Sequence, residues 1–201
     1  MKKIAAYFIV ALFAVGLFAC SGAQVSRLDS GEQVDLSGYW NDTDSQLTSQ
    51  EMIKDSLSRP WVQVFMAQNK NKKPRVIVGQ VLNKTEEHIT TETFIKDLER
   101  ELINSGLVTF VASSSQRDEI RAERDDQAAN SRAGTAKKQG METAADFMVK
   151  GQINSIFDGK QGAQLKYYQV ELELIDIETN EKVWIGQKKI KKVIARKKYK
   201  A

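Results

Sequence analysis

The sequence predicts an α/β fold in which helices pack on a mixed sheet of about four to five strands that ends in an antiparallel β-meander. Three observations predict it. Apolar stripes at helical spacing, Met52-Ile53-Leu57 and Phe94-Ile95-Leu98-Leu102-Ile103, alternate with β-branched runs. Arg75 to Leu82 is short, β-branched and apolar on both faces, as a central strand requires. Tyr168, Val170, Leu172 and Leu174 face one way while Gln169, Glu171 and Glu173 face the other, the period-two pattern of a half-solvated antiparallel strand.

Taken in order, the chain opens with Met1, Lys2 and Lys3, followed by the uncharged run Ile4 to Ala19. That is the layout of a signal peptide, assigned to residues 1–19. Leu17-Phe18-Ala19-Cys20 ends the run on the chain's one cysteine. It resembles the lipobox of bacterial lipoproteins, with Phe18 where a small residue is usual, and the resemblance implies lipidation of Cys20. Each buried methylene of the attached chains adds about 0.8 kcal/mol of membrane affinity. With its thiol so used, the exported chain folds without a disulfide.

Residues 20–46 are rich in Ser, Gly, Asp, Gln and Asn, lack helical or strand periodicity, and read as a lipid-anchored flexible linker. Extended, they reach about 85 Å; as a coil they average about 30 Å. Residues 47–201 form one globular domain, since 41% of the chain is hydrophobic and about 150 residues suffice for a single core.

Thr48-Ser49-Gln50-Glu51 has the form of a capping box and predicts that the first helix starts there, with Leu47 and Met52 at staple positions. Arg59-Pro60 interrupts it, and Trp61, Val62, Val64 and Phe65 predict a second, short helix. After the strand at 75–82, Thr90 or Thr91 caps a helix that Ser105-Gly106 stops, and Leu107 to Ala112 returns as a strand. Residues 116–130 predict a surface helix, and Ala136 to Ala145 a further short one. Phe147, Val149, Gly151 and Ile153 begin the meander, with Asp158-Gly159-Lys160 and Glu178-Thr179-Asn180-Glu181 as its turns and Val183 to Ile194 as its last strand.

Three segments carry a resemblance. Leu36-Ser-Gly-Tyr-Trp-Asn-Asp-Thr-Asp-Ser45, Arg75-Val-Ile-Val-Gly79 and Phe147-Met-Val-Lys-Gly151 are similar to the LpoB family over roughly residues 36–195. Members are outer-membrane lipoproteins on the periplasmic side that activate penicillin-binding proteins, so the resemblance implies a regulator of peptidoglycan synthesis, not an enzyme. Its partner would be a bifunctional penicillin-binding protein. Well-known members have a long proline-rich linker, whereas residues 21–46 contain no proline. The Ala145-Asp146-Phe147 to Gly151 pattern also resembles the TolB amino-terminal domain and CsgG-like proteins, which implies an alternative role in assembling an envelope secretion complex.

A residue-by-residue search finds no catalytic set, no metal site and no cofactor motif. His88 has no second histidine or available cysteine to join it, and reads as an exposed loop residue. Asn41, Asp42 and Asp44 read as turn-forming residues. Glu171 and Glu173 read as a solvated strand face, and Ser113, Ser114 and Ser115 as a loop. No glycine pattern cradles a phosphate. Neither a small-molecule substrate nor a nucleic acid is expected, the latter because export removes the chain from it.

The charge is lopsided. The formal net charge is +4, yet residues 182–201 carry nine Lys or Arg and no acid. Without Lys2 and Lys3 the remainder is +2, so the rest of the mature chain sums to −7. Lys188, Lys189, Lys191 and Lys192 are therefore the candidate partner-binding residues, either guarding a sheet edge or forming one docking face for an acidic protein or anionic lipid.

Overall fold

Helix formation begins earlier than the Thr48 motif implies. The computed structural model, which describes residues 26–29, 32–35, 37–160 and 163–195, starts the first helix, α1, at Asp42–Ser58. Its N-cap is Asn41, whose side chain accepts from the Asp44 amide while the Asp44 carboxylate accepts from the Asn41 amide. This closes the same reciprocal box one turn and more upstream, so residues 42–46 are helical rather than linker. Thr48 then lies inside the helix, fully buried, and its Oγ1 has no hydrogen-bond partner among the described residues. Thr48→Val is accordingly expected to stabilise the domain by about 1 kcal/mol in a urea melt, because it removes an unsatisfied buried hydroxyl while keeping the shape. A clear loss of stability would show that the hydroxyl is bonded after all.

The remaining elements are α2 (Trp61–Gln68), β1 (Arg75–Asn83), α3 (Thr91–Asn104), β2 (Thr109–Phe110), α4 (Ser114–Asn130), β3 (Phe147–Lys160), β4 (Ala163–Asp176) and β5 (Lys182–Ala195). The sheet order is β2-β1-β3-β4-β5. The first three strands in that order run parallel, and β3, β4 and β5 form the antiparallel meander. The α/β class and its closing meander are as the periodicity predicts. β2 is reduced to two residues, and β3 runs on through Lys160, so Asp158-Gly159-Lys160 belongs to the strand and not to a turn.

Residues 136–145 do not form the expected helix. Gly134 and Gly140 hold left-handed backbone, with φ of 82° and 72°, and break the segment on both sides of Lys137 and Lys138. Glu142 is drawn instead to Arg121 and Arg124 of α4, and those two guanidiniums hold its carboxyl down at about 2. Ser113 to Ser115 are likewise not loop throughout: Ser113 caps α4 with Gln116 completing the box, and Ser114 and Ser115 are in the helix.

The chain divides into two units, residues 1–33 and 34–201. In the first, the described residues are exposed and Glu32 donates its amide to the Asp29 carbonyl at 3.0 Å. The second contains every helix and strand described. Its core lies on one face of the sheet, where Phe147, Val149 and Ile153 of β3 and Tyr168, Val170, Leu172 and Leu174 of β4 meet Met52 and Ile53 of α1 and Phe94, Leu98 and Leu102 of α3. Polar pins set the layers: Ser45 Oγ donates to Asp97 at 2.7 Å between α1 and α3, and Trp184 Nε1 donates to Asp55 at 2.8 Å between β5 and α1. Arg75 and Asp146 clasp the starts of β1 and β3 through a bidentate pair at 2.7 and 3.0 Å. Asp146 also accepts from the Arg75 amide. Residues 1–19, expected from the sequence to be a signal peptide, and Cys20 lie outside the described residues.

Candidate functional site

Strand alternation decides what the β5 lysines can do. Successive side chains point to opposite faces, so Trp184, Lys188, Ile190 and Lys192 share the helix-covered face, while Ile185, Gln187, Lys189, Lys191 and Val193 share the other. Lys188 pairs with Glu51 of α1. The Lys192 side chain is only 11% exposed, and its Nζ reaches Asp35 at 2.8 Å, Asp44 at 2.5 Å and the Tyr39 carbonyl at 3.1 Å. Burial pulls its pKa down, but the two carboxylates outweigh that and the net shift is upward.

The expectation of a single four-lysine docking face is therefore corrected. Lys188 and Lys192 hold the first helix and the segment before it onto the sheet, and only Lys189 and Lys191 of the four turn to the outer face. Replacing all four by glutamine should lower the melting temperature mainly through Lys192, because Asp44 would lose its ammonium partner while buried, a loss of about 3 kcal/mol or more, with the more exposed Lys188–Glu51 pair adding little. Lys189→Gln/Lys191→Gln should melt like the parent. Equal melting of both variants would show that the Lys192 pairs contribute nothing.

The segment Val34–Asn41, which sequence composition assigns to a linker, is a strap over the end of the sheet. Gly38 lies so close to Ile194 of β5 that a β-carbon there would collide with it. Trp40 packs edge-on against Tyr168 and Phe94, with ring centroids 5.6 and 6.2 Å apart. Glu87 is the centre of the polar contacts: it accepts from Lys166 Nζ at 2.6 Å, from the Tyr168 hydroxyl at 2.7 Å and from the Trp40 amide at 3.2 Å. The Tyr168 hydroxyl is also 3.2 Å from the Gly38 carbonyl, and the Lys166 ammonium sits over the Tyr39 ring. Burial alone would raise the Glu87 pKa; its three donors outweigh burial and lower it. Burial and the Glu87 charge together push the Tyr168 phenol upward.

Sequence reasoning does not single out Glu87. The signal it could have used is weak: a lysine and a tyrosine two apart on the apolar face of β4, where a buried ammonium demands a carboxylate from somewhere. His88 itself is exposed in the loop after β1.

The outer face of the meander is solvent-facing. Glu171 there accepts amide hydrogens from Gln152 at 3.0 Å, Gln169 at 2.5 Å and Gln187 at 3.2 Å, which lower its pKa, Gln152 foremost. Toward the β3–β4 hairpin the same face turns apolar and basic, with Ile156 paired to Tyr167 and Tyr167 to Lys191 across the strands. Chemically the face offers cations and apolar contact. No cluster of metal-binding side chains is found among the described residues, and no described helix is long and apolar enough to cross a membrane.

The model of a protein family described as the peptidoglycan-synthase activator LpoB matches residues 44–190. Among solved structures, the LpoB C-terminal domain from Escherichia coli is similar at 16% identity and a TM-score of 0.45, covering 73% of this chain and 98% of that one. The same domain from Salmonella enterica gives 15% identity and a TM-score of 0.44 with the same coverage. Lipoprotein GNA1162 from Neisseria meningitidis gives 11% identity and a TM-score of 0.39 over 60% of this chain and 83% of that one. No curated protein sequence matches the chain significantly.

Proposed function

The chain belongs to the LpoB family of peptidoglycan-synthase activators, and from that premise we propose that it is a lipid-anchored envelope protein that binds a bifunctional penicillin-binding protein and raises its activity. The observation that carries the reading is the span of the family match: residues 44–190 run from within the first helix to within the last strand, so it takes in all or part of every described helix and strand. A binding domain activates by holding its partner in the more active of two conformations, and it can shift that equilibrium only by the difference in its affinity for the two.

In this reading Cys20 carries the lipid and Ser21, which resembles residues that send a lipoprotein on to the outer membrane, sets the location. Because the strap holds the chain from Val34 onward, fourteen residues of sequence separate the lipid-bearing Cys20 from the folded unit. Extended, that is about 45 Å; as a coil, about 20 Å. The synthase must therefore bring its docking region near the lipid that holds the activator.

The test has two parts. The tagged chain, used to capture partners from detergent-solubilised envelope, should retain a penicillin-binding protein, and its addition to that purified enzyme should raise glycan polymerisation. Capture of a secretion channel with no change in polymerisation would overturn the reading in favour of an assembly role. Separately, Cys20→Ala should accumulate as a full-length precursor that takes up no labelled fatty acid; labelling equal to the parent would refute the anchor.

A further inference from the structure

Three features converge on one end of the sheet. The chain enters the folded unit there, since Asp35, one residue after Val34, is bonded to Lys192 near the end of β5. Ile156 of β3 and Val193 of β5 are 64% and 73% exposed at that end, on the outer face. Lys189 and Lys191 flank them on the same face, Lys191 with no ion-pair partner among the described residues and Lys189 in reach of Glu171 only through space. Arg196, Lys197, Lys198 and Lys200 follow β5 in the sequence and lie outside the described residues. Asp158, beside them in β3, is an opposing charge on this surface.

We infer that this end of the outer face, Ile156 and Val193 with Lys189 and Lys191, is a docking surface for an anionic lipid bilayer. The inference rests on the reading of Cys20 as the lipid anchor, because the tether fixes which surface the end must meet. Fourteen residues cannot reach beyond about 45 Å, so the domain is confined within a few Debye lengths of the headgroups, about 10 Å each at 0.1 M salt. Lysines near such a surface are attracted to anionic lipid, and exposed isoleucine and valine gain by entering the headgroup boundary. A protein partner with an acidic surface would be drawn by the same charges, but tether length favours the surface already at hand. Docked this way, the domain turns its polar Glu171 region and its helices away from the lipid.

The experiment separates the inference from the anchor. Cys20 is the chain's one cysteine, so the chain from Ser21 onward, which keeps every described residue, accepts a single introduced thiol. An amino-terminal histidine tag on nickel-chelating lipid replaces the acyl chains, so the result does not depend on lipidation. An environment-sensitive fluorophore is placed at Ile156→Cys, at Val193→Cys, or at Ile185→Cys, an exposed residue of the same face toward the other end of β5. On phosphatidylcholine vesicles containing phosphatidylglycerol, the labels at 156 and 193 should shift to the blue and brighten while the label at 185 stays aqueous. Lys189→Gln/Lys191→Gln should lower the docked-to-free ratio about 10-fold or more, and 500 mM salt should undock the parent. Equal response at 156 and 185, or no difference between neutral and anionic vesicles, overturns the proposal. A response at 156 that needs added penicillin-binding protein overturns it too, by assigning the face to the synthase.

Discussion

Glu87→Ala is expected to destabilise the domain by about 3–5 kcal/mol, because one carboxylate answers a buried ammonium, a buried phenol and a strap amide at once. The Lys166 and Glu87 side chains are 10% and 14% exposed, so neither charge recovers full hydration when its partner is lost. Truncating one side of such a pair leaves the other charge uncompensated, which is where the cost arises. Glu87→Gln should cost less, since the amide oxygen still accepts from Tyr168 but no longer neutralises Lys166. The neighbouring Glu86→Ala, on an exposed residue, should cost under about 0.5 kcal/mol.

The pH dependence has a defined sign. The Glu87 pKa is depressed in the folded state, so its contribution is present above the unfolded value of about 4.3 and is lost as pH falls through the folded value. The gap between parent and Glu87→Ala in urea midpoints should therefore be full near pH 7 and narrow below about pH 4.3. A gap that is small at pH 7, or one that widens on acidification, would contradict the role assigned to this carboxylate.

Leu172→Ala is expected to cost about 2–5 kcal/mol, toward the upper part of that range. Leu172 is fully buried in the middle of β4, and its cross-strand neighbours are glycines on both sides, Gly151 of β3 and Gly186 of β5. The Leu172 side chain lies over Gly151, while the Trp184 ring lies over Gly186, and with no side chain at either glycine to move in, truncation leaves a void the neighbours cannot close. Glu171→Ala, one residue away on the outer face, gives up hydrogen bonds from three glutamines that water can replace, and should cost under about 1 kcal/mol. Urea melts of the pair decide it: a Leu172→Ala loss no larger than that of Glu171→Ala would mean the core is not packed as described.

Local pattern carried the architecture. Period-two alternation in β4 and helical spacing in α3 are each properties of a few adjacent residues, and packing reinforced both. Where pattern failed, two local signals competed. Asn41 and Asp44 closed a capping box before Thr48 and Glu51 could, and the second box was absorbed into the helix it was expected to begin. At residues 136–145 helix-forming alanines and lysines met Gly140 in left-handed backbone, and the ion pairs of Glu142 with Arg121 and Arg124 took the segment to α4.

What the sequence determined alone is the class of the fold, the phase of its strands, the turn between the last two strands, and the uncharged run that ends on Cys20. Each depends on neighbours along the chain. Tertiary structure alone decided that residues 34–41 are a strap, that Glu87 anchors it, and that four adjacent lysines divide between two faces with different work. Lys166 meets Glu87 from 79 positions away, and Lys192 meets Asp35 from 157. A charge seeking a partner leaves no period in the sequence: burial makes the partner necessary, but only the folded chain settles which carboxylate is within reach.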